Sequence, residues 1–362
     1  MKYDKFFQEL SANEKLVNDY LFNDVKTIQR VKPSILEDCT LSYLKGGGKK
    51  LRPAILMLCC QAVGGEKRTA LPAAAAVELF HTWTLVHDDI IDNDTMRRGV
   101  DTVHVTAGKY AREKYNLPVE VAEKYGKDAA ILTGDIQHGW CISILSRNLI
   151  KEGVKPEVAL HLISQLQVEM LRTLVEGETL DVEFGLFYDI DDLTEGQILD
   201  MLWKKTGVLY EFCGMAGALI GQNNMEYTAE VNALKEFCSL CGTAFQVRDD
   251  ILGLIGKQNK LGKPVGSDIR EGKKTLLVKE ALSNASEEEN KTIRATLGNS
   301  KATPSEIENT TQLIVKLGGV DKAHTVAKGY VDKALPLLDI LPASNEKDLL
   351  IEWANYMIDR SY

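Results

Sequence analysis

Residues 71–92 read LPAAAAVELFHTWTLVHDDIID. Ala and Leu dominate and apolar residues recur at spacings of three and four, which predicts a helix starting after Pro72. At its far end Asp88 and Asp92 are four apart and share a face, with Asp89 beside them, and His81 and Thr84 continue that face. The chain runs on as NDTMRRG (93–99), adding Asp94 and two arginines, Arg97 and Arg98. Carboxylates this close repel one another. Two settings tolerate them: a solvated surface, or a site for a hard cation such as Mg2+, which takes oxygen from one or two carboxylates and completes its shell with water and phosphate. Leu85, Val86, Ile90 and Ile91 are apolar, so this helix is not simply a solvent-facing one.

The same periodicity extends in both directions. Residues 158–178 (VALHLISQLQVEMLRTLVEGE), 198–221 (ILDMLWKKTGVLYEFCGMAGALIG) and 231–256 (VNALKEFCSLCGTAFQVRDDILGLIG) read as long apolar helices. Residues 321–341 and 347–362 read as amphipathic ones. Period-two β-branched runs are scarce, so the expected class is all-α. Glycine- and asparagine-rich breaks fall at 46–50, 221–224, 256–268 and 297–305. No low-complexity linker divides the chain, and one large helical domain over 1–362 is expected. Its charged stretch at 109–127, interrupted by Pro118, reads as an extra surface element. One distant echo stands out: HDDIID (87–92) and RDDILG (248–253) each end a long apolar helix.

Composition narrows the function. A net charge of −9 argues against a nucleic-acid partner. The basic residues cluster locally in GGGKKLRP (46–53), MRRG (96–99) and REGKKT (270–275), which suits a small anionic ligand. No run approaches the roughly 18 apolar residues of a membrane span, and no secretory signal is recognisable, so a soluble cytoplasmic protein is expected. Cys238 and Cys241 form a lone CxxC inside an apolar helix, the pattern of small core residues rather than a zinc or redox pair.

The second acidic motif, FQVRDDILG (245–253), is followed by GKPVGSDIREGKKT (262–275) with Lys263, Lys273 and Lys274. Two acidic sites among scattered Lys and Arg make sense around a diphosphate: metal ions bridge carboxylate to phosphate, and basic side chains neutralise the remaining charge. In GGGKKLRP the glycines permit close backbone approach, and Lys49 and Arg52 can reach an anion. No Walker pattern occurs, which argues against an ordinary P-loop nucleotide enzyme.

Taken in order, GGGKKLRP, ELFHTWTLVHDDIIDNDTMRRG (78–99), GD (134–135), GETLD (177–181), KKTG (204–207), FQVRDDILG and GKPVGSDIREGKKT resemble the trans-isoprenyl (polyprenyl) diphosphate synthases. That resemblance implies a large helical bundle around a central cavity, usually a homodimer. It implies that Asp88, Asp89 and Asp92, with Asp249 and Asp250, bind Mg2+ and the allylic diphosphate. Lys49, Arg52, His81 and Arg98 match the site for isopentenyl diphosphate. Arg97, Lys205, Thr206, Gln246, Lys263 and Lys273 match contacts to the allylic substrate. The family's second motif often ends in a third Asp, where this chain has Gly253.

The implied chemistry is ionisation of the allylic diphosphate, attack by the isopentenyl double bond, and proton loss to the released pyrophosphate. Terpene cyclases and head-to-head synthases share the fold, but a cyclase does not require GGGKKLRP. A non-catalytic subunit of a heteromeric synthase typically loses first-motif acids, which this chain keeps. Trp83 and Thr84, five and four residues before Asp88, occupy the positions that set product length in the family. An aromatic followed by a small residue there resembles enzymes that release farnesyl and geranylgeranyl diphosphate; longer polyprenyl products are the alternative. On the helical wheel Thr84 shares the aspartate face, whereas Trp83 lies to one side, where plain core packing would also place it.

Overall fold

The Ala-rich segment is a helix, and it is longer than its pattern promised. The computed structural model describes residues 3–27, 31–97, 99–256 and 266–359. Here α1 (Asp4–Asp24), α2 (Ser34–Lys45) and α3 (Leu51–Ala62) precede α4 (Lys67–Ile91). Thus α4 begins ahead of Pro72 rather than after it. A proline this near the start removes only one early intrahelical hydrogen bond, and the buried alanines that follow hold the helix in place. Two-residue strands β1 (Met96–Arg97) and β2 (Val100–Asp101) pair antiparallel. Then come α5 (Val103–Tyr115), α6 (Val119–Ser143), α7 (Leu149–Lys151), α8 (Pro156–Ser164), α9 (Leu171–Phe187), α10 (Glu195–Leu202), α11 (Val208–Gln222) and α12 (Ala229–Ile255). The chain closes with α13 (Ser267–Glu271), α14 (Leu276–Asn284), α15 (Glu287–Thr296), α16 (Pro304–Lys316), α17 (Gly319–Ala334) and α18 (Asn345–Asp359). The fold is all-α, and among the described residues no helix is long and apolar enough to cross a membrane.

Two compact units result, one of Met1–Ile163 with Ala216–Glu226, the other of Ser164–Met215 with Tyr227–Tyr362. In the first, α4 packs on α3 and α6. Ala73–Ala76, Val77, Leu79 and Phe80 are all buried. A Cβ on Gly134 would come 2.2 Å from His87 Nε2 and 2.7 Å from Trp83 Cδ1, so α6 reaches α4 because that position is bare. Residues 109–127 are the end of α5, a turn through left-handed Asn116, and the start of α6. The two helices lie close there, since a Cβ on Gly126 would meet the His104 carbonyl at 2.2 Å.

In the second unit α12 supplies the core. The Thr228 side chain caps its N-terminus, and Phe237, Cys238, Cys241, Val247 and Ile251 are buried. Trp353 of α18 packs edge-on against Phe237 and tilted against Tyr210, with ring centroids 5.6 Å away in each case. The CxxC pair is therefore core filling, and all seven cysteines are buried thiols. The long apolar runs at 158–178 and 198–221 are each helical with a π turn inserted, at Gln165–Met170 and at Trp203–Gly207.

Candidate active site

The first acidic motif sits at the C-terminal end of α4, where backbone carbonyls already concentrate partial negative charge. Asp92 caps the helix, its N–H donating to the Asp88 carbonyl at 2.8 Å. Carboxylates at this end are disfavoured by roughly 0.3–1 kcal/mol each unless a cation answers them. Arg97 supplies one. The backbone turns through left-handed Asn93 (φ 54°), and pairing of Arg97 with Val100 directs β1 back toward the helix. Arg97 Nε donates to Asp89 Oδ1 at 2.6 Å, and its Nη2 lies 3.2 Å from Asp88 and 3.7 Å from Asp94. The Tyr43 hydroxyl, from α2, donates to the other Asp89 oxygen.

Burial alone would lower the guanidinium, but the hydrogen bond and charge of Asp89, then of Asp88, hold Arg97 above its ordinary range. Burial raises the Asp89 carboxyl, against the pull of Arg97 and Tyr43. Burial and the Asp89 charge together raise the Tyr43 phenol. Sequence reading missed Tyr43, whose only signal was a polar tip at an otherwise core position of α2.

In the same unit Arg52 of α3 and His81 of α4 come together, Nη1 to Nε2 at 3.2 Å. Lys49 is exposed in the glycine loop. Its neighbour Lys50 is turned inward through a left-handed backbone (φ 46°) and forms a buried ion pair with Glu78 at 2.7 Å. The two lysines thus divide, one outward and one structural. Trp83 is half-buried against Phe80, His138 and His87, with centroids at 5.0, 4.8 and 5.6 Å. The Thr84 hydroxyl is turned back onto the His81 carbonyl at 2.8 Å.

In the second unit KKTG forms the π turn that follows α10, a local widening that often marks functional positions. Gly177 of GETLD allows α9 to press on it, since a Cβ there would be 2.3 Å from Lys205 N. Lys205 Nζ reaches Asp181 at 2.6 Å and Glu178 at 3.0 Å. The Thr206 hydroxyl donates to Gln246 Oε1 at 2.8 Å, and Gln246 Nε2 donates to Asp250 at 3.1 Å. Burial raises the Asp250 carboxyl well above its usual range; the charges of Asp268, Asp249 and Asp181 add to this, and the Gln246 amide opposes it. Lys273 pairs with Glu271 at 3.2 Å.

Gly253, the departure from the family pattern, faces Asp268: a Cβ there would lie 2.5 Å from Asp268 Oδ2. The space of the missing side chain is taken by a carboxylate from further down the chain. Asp268, Asp181 and Glu178 lie within sequence motifs whose pattern alone assigns them no role. Arg98 and Lys263 lie outside the described residues.

These donors suit a hard divalent cation. They are all oxygen, and Asp250 is buried among carboxylates whose mutual repulsion a cation would relieve. Among the described residues no group of three or more His, Cys, Asp or Glu is arranged as a ready chelate. The fit therefore rests on the chemistry of the donors, for an ion that draws much of its shell from water and phosphate.

The chain matches the Polyprenyl synthetase family over residues 33–314. It is 36% identical over 332 residues to the geranylgeranyl diphosphate synthase of Saccharolobus solfataricus, covering 92% of this chain and 91% of that one. It is 33% identical over 351 residues to the geranylfarnesyl diphosphate synthase of Aeropyrum pernix, covering 95% and 99%. Among solved structures, the Corynebacterium glutamicum geranylgeranyl pyrophosphate synthase complexed with isoprenyl diphosphate and magnesium matches with a TM-score of 0.84 at 26% identity, covering 99% and 100%. An all-α fold with two Asp-Asp helix ends, the first attended by an arginine, is that of a polyprenyl synthetase, and the chain belongs to this family. It is a trans-prenyltransferase, a short-chain prenyl diphosphate synthase.

Proposed function

We propose that the enzyme condenses isopentenyl diphosphate with dimethylallyl, geranyl and farnesyl diphosphates, releasing farnesyl and geranylgeranyl diphosphate with pyrophosphate. The observation that carries this reading is the pair of separate basic sites in one unit. Arg97 lies across the first aspartates, while Arg52 and His81 meet elsewhere on α3 and α4. Two anionic substrates need two such sites. Asp88, Asp92, Asp249 and Asp250 would hold Mg2+, which supplies Lewis-acid stabilisation of the departing pyrophosphate. Arg97 of the first unit neutralises charge on that leaving group as the allylic C–O bond breaks, and Lys205 is the basic candidate of the second unit. Lys49, Arg52 and His81 orient isopentenyl diphosphate so that its double bond forms the new C–C bond. Thr206 and Gln246 turn dipoles toward the cation, and the proton lost afterwards passes to pyrophosphate.

Trp83 would end the growing chain at geranylgeranyl diphosphate, and its packing on Phe80 and His138 gives a rigid obstacle. The likeness to the Aeropyrum geranylfarnesyl diphosphate synthase favours a second reading, in which the product is one five-carbon unit longer. The proposal extends to one catalytic domain spanning the chain, acting as a homodimer in the reducing cytoplasm. Exposed Ile131 and Leu132 on α6 and the buried thiols support those parts. Mass analysis of products made from labelled isopentenyl diphosphate with each allylic primer tests the reading. Farnesyl and geranylgeranyl diphosphate are expected; a main product beyond twenty carbons selects the second reading, and no condensation with any primer overturns both.

A further inference from the structure

The first motif's three aspartates are equivalent in sequence but not in surroundings. The side chain of Asp88 is 20% exposed and that of Asp89 only 1%. Both Asp89 oxygens are engaged from within the protein: Oδ1 accepts from Arg97 Nε at 2.6 Å, and the other accepts from the Tyr43 hydroxyl. Tyr43 is itself fixed. Its ring is buried in a cluster with Val86, Val103 and Ala107, and its oxygen accepts the Val103 N–H at 3.3 Å. Three segments therefore meet at one carboxylate, namely α2, the end of α4 and strand β1, and the start of α5 joins them through the Tyr43 hydroxyl. Thr102 holds the intervening turn closed, its hydroxyl donating to the Asp94 carbonyl at 2.8 Å and its N–H to the Thr95 carbonyl at 3.1 Å.

We infer that Tyr43 and Asp89 form a buried anchor that holds Arg97 in place for the substrate diphosphate, so that Asp89 serves as a positioning residue rather than a metal ligand. The inference rests on the proposed prenyl-transfer reading. The physical basis is pre-organisation. A free arginine side chain loses rotamer freedom when it grips phosphate, whereas one already forked onto a buried carboxylate loses little. Asp89 carries out this role because Arg97 Nε–H and the Tyr43 hydroxyl engage both of its oxygens at depth, where water does not compete.

The test compares Tyr43→Phe, Asp89→Asn and Asp88→Asn in the full chain, each checked for a native melt. Steady-state kinetics give KM for both diphosphates, and spin resonance follows Mn2+ binding in the presence of inorganic pyrophosphate. Tyr43→Phe keeps the ring and removes only the donor, so the allylic KM should rise about tenfold with the isopentenyl KM nearly unchanged. Asp89→Asn should act in the same direction, and the double variant should be no worse than Asp89→Asn alone. Mn2+ affinity should fall for Asp88→Asn and hold for the other two. If Mn2+ affinity falls as far in Asp89→Asn as in Asp88→Asn, Asp89 is a ligand and the inference is overturned. An unchanged allylic KM in Tyr43→Phe overturns it equally, and that variant decides the matter should Asp89→Asn fail to fold. Failure of the wild-type chain to condense its substrates would overturn the functional reading instead, since pyrophosphate and Mn2+ binding are measured without turnover.

Discussion

The two acidic helix ends have the same Asp-Asp pair and opposite surroundings. At the end of α4, an arginine answers the carboxylates and a tyrosine ties down the middle one. At the end of α12, Asp250 has other carboxylates around it, and the group that donates to it is the neutral amide of Gln246. Lys205 in that unit is engaged with Asp181 and Glu178. The first end thus has an arginine laid across its carboxylates, whereas at the second a buried carboxyl is raised further by neighbouring carboxylates. A motif's letters do not say which of these it will be; the side chains brought to it from elsewhere do.

The comparison is broken most severely by removing acids from each end. Asp88→Ala and Asp249→Ala should each lower kcat by about 10^2–10^3-fold with far-ultraviolet circular dichroism unchanged. Chelation of divalent metal should abolish turnover until Mg2+ is restored. Wild-type turnover in either variant would remove the metal argument at that end.

A smaller effect is expected from Gly253→Asp, which adds charge to the crowded end. Its Cβ would begin 2.5 Å from Asp268 Oδ2. Overpacking costs about 1–3 kcal/mol, so the melting temperature should drop by a few degrees and activity by roughly tenfold. Combining Gly253→Asp with Asp268→Gly should recover most of both. A single Gly253→Asp variant with native melt and rate would mean that the Asp268 carboxylate swings aside without cost.

Arg52→Ala and His81→Ala sharpen the first end by separating it from its neighbour. The apparent KM for isopentenyl diphosphate should rise about tenfold, and that for the allylic partner much less. Weakening mainly on the allylic side would reverse the assignment of the two sites. The gentlest change in rate is expected from Trp83→Ala, one turn and a half before Asp88, which should lengthen products beyond twenty carbons. If the product distribution stays the same at a similar rate, Trp83 is core packing against His138 and another helix ends the chain.

Much of this was legible in one dimension. A helix repeats every 3.6 residues, so the apolar spacing, the breakers and the Asp88–Asp92 face are local properties, and a helix formed within each stretch the pattern marked. The start of α4 was misjudged because a proline is a local stop signal, while tertiary burial of Ala73–Ala76 outweighs the single hydrogen bond it removes. The ordered set of motifs, from GGGKKLRP to GKPVGSDIREGKKT, was likewise sufficient for the family.

The partnerships were not legible, because each joins residues with no periodic relation. Tyr43 reaches Asp89 across 46 positions, Arg52 reaches His81 across 29, and Lys205 reaches Asp181 across 24. Sequence showed that Lys49 and Lys50 were basic, and only the fold turned Lys50 inward onto Glu78. Sequence showed a glycine where an aspartate was expected, and only the fold put Asp268 against it. The sequence by itself determined the helices, the acidic motifs and the family, because these depend on spacing within a few turns. The tertiary structure decided which charges are answered and which are left for a ligand, because burial and long-range pairing set the free energy of every ionised group.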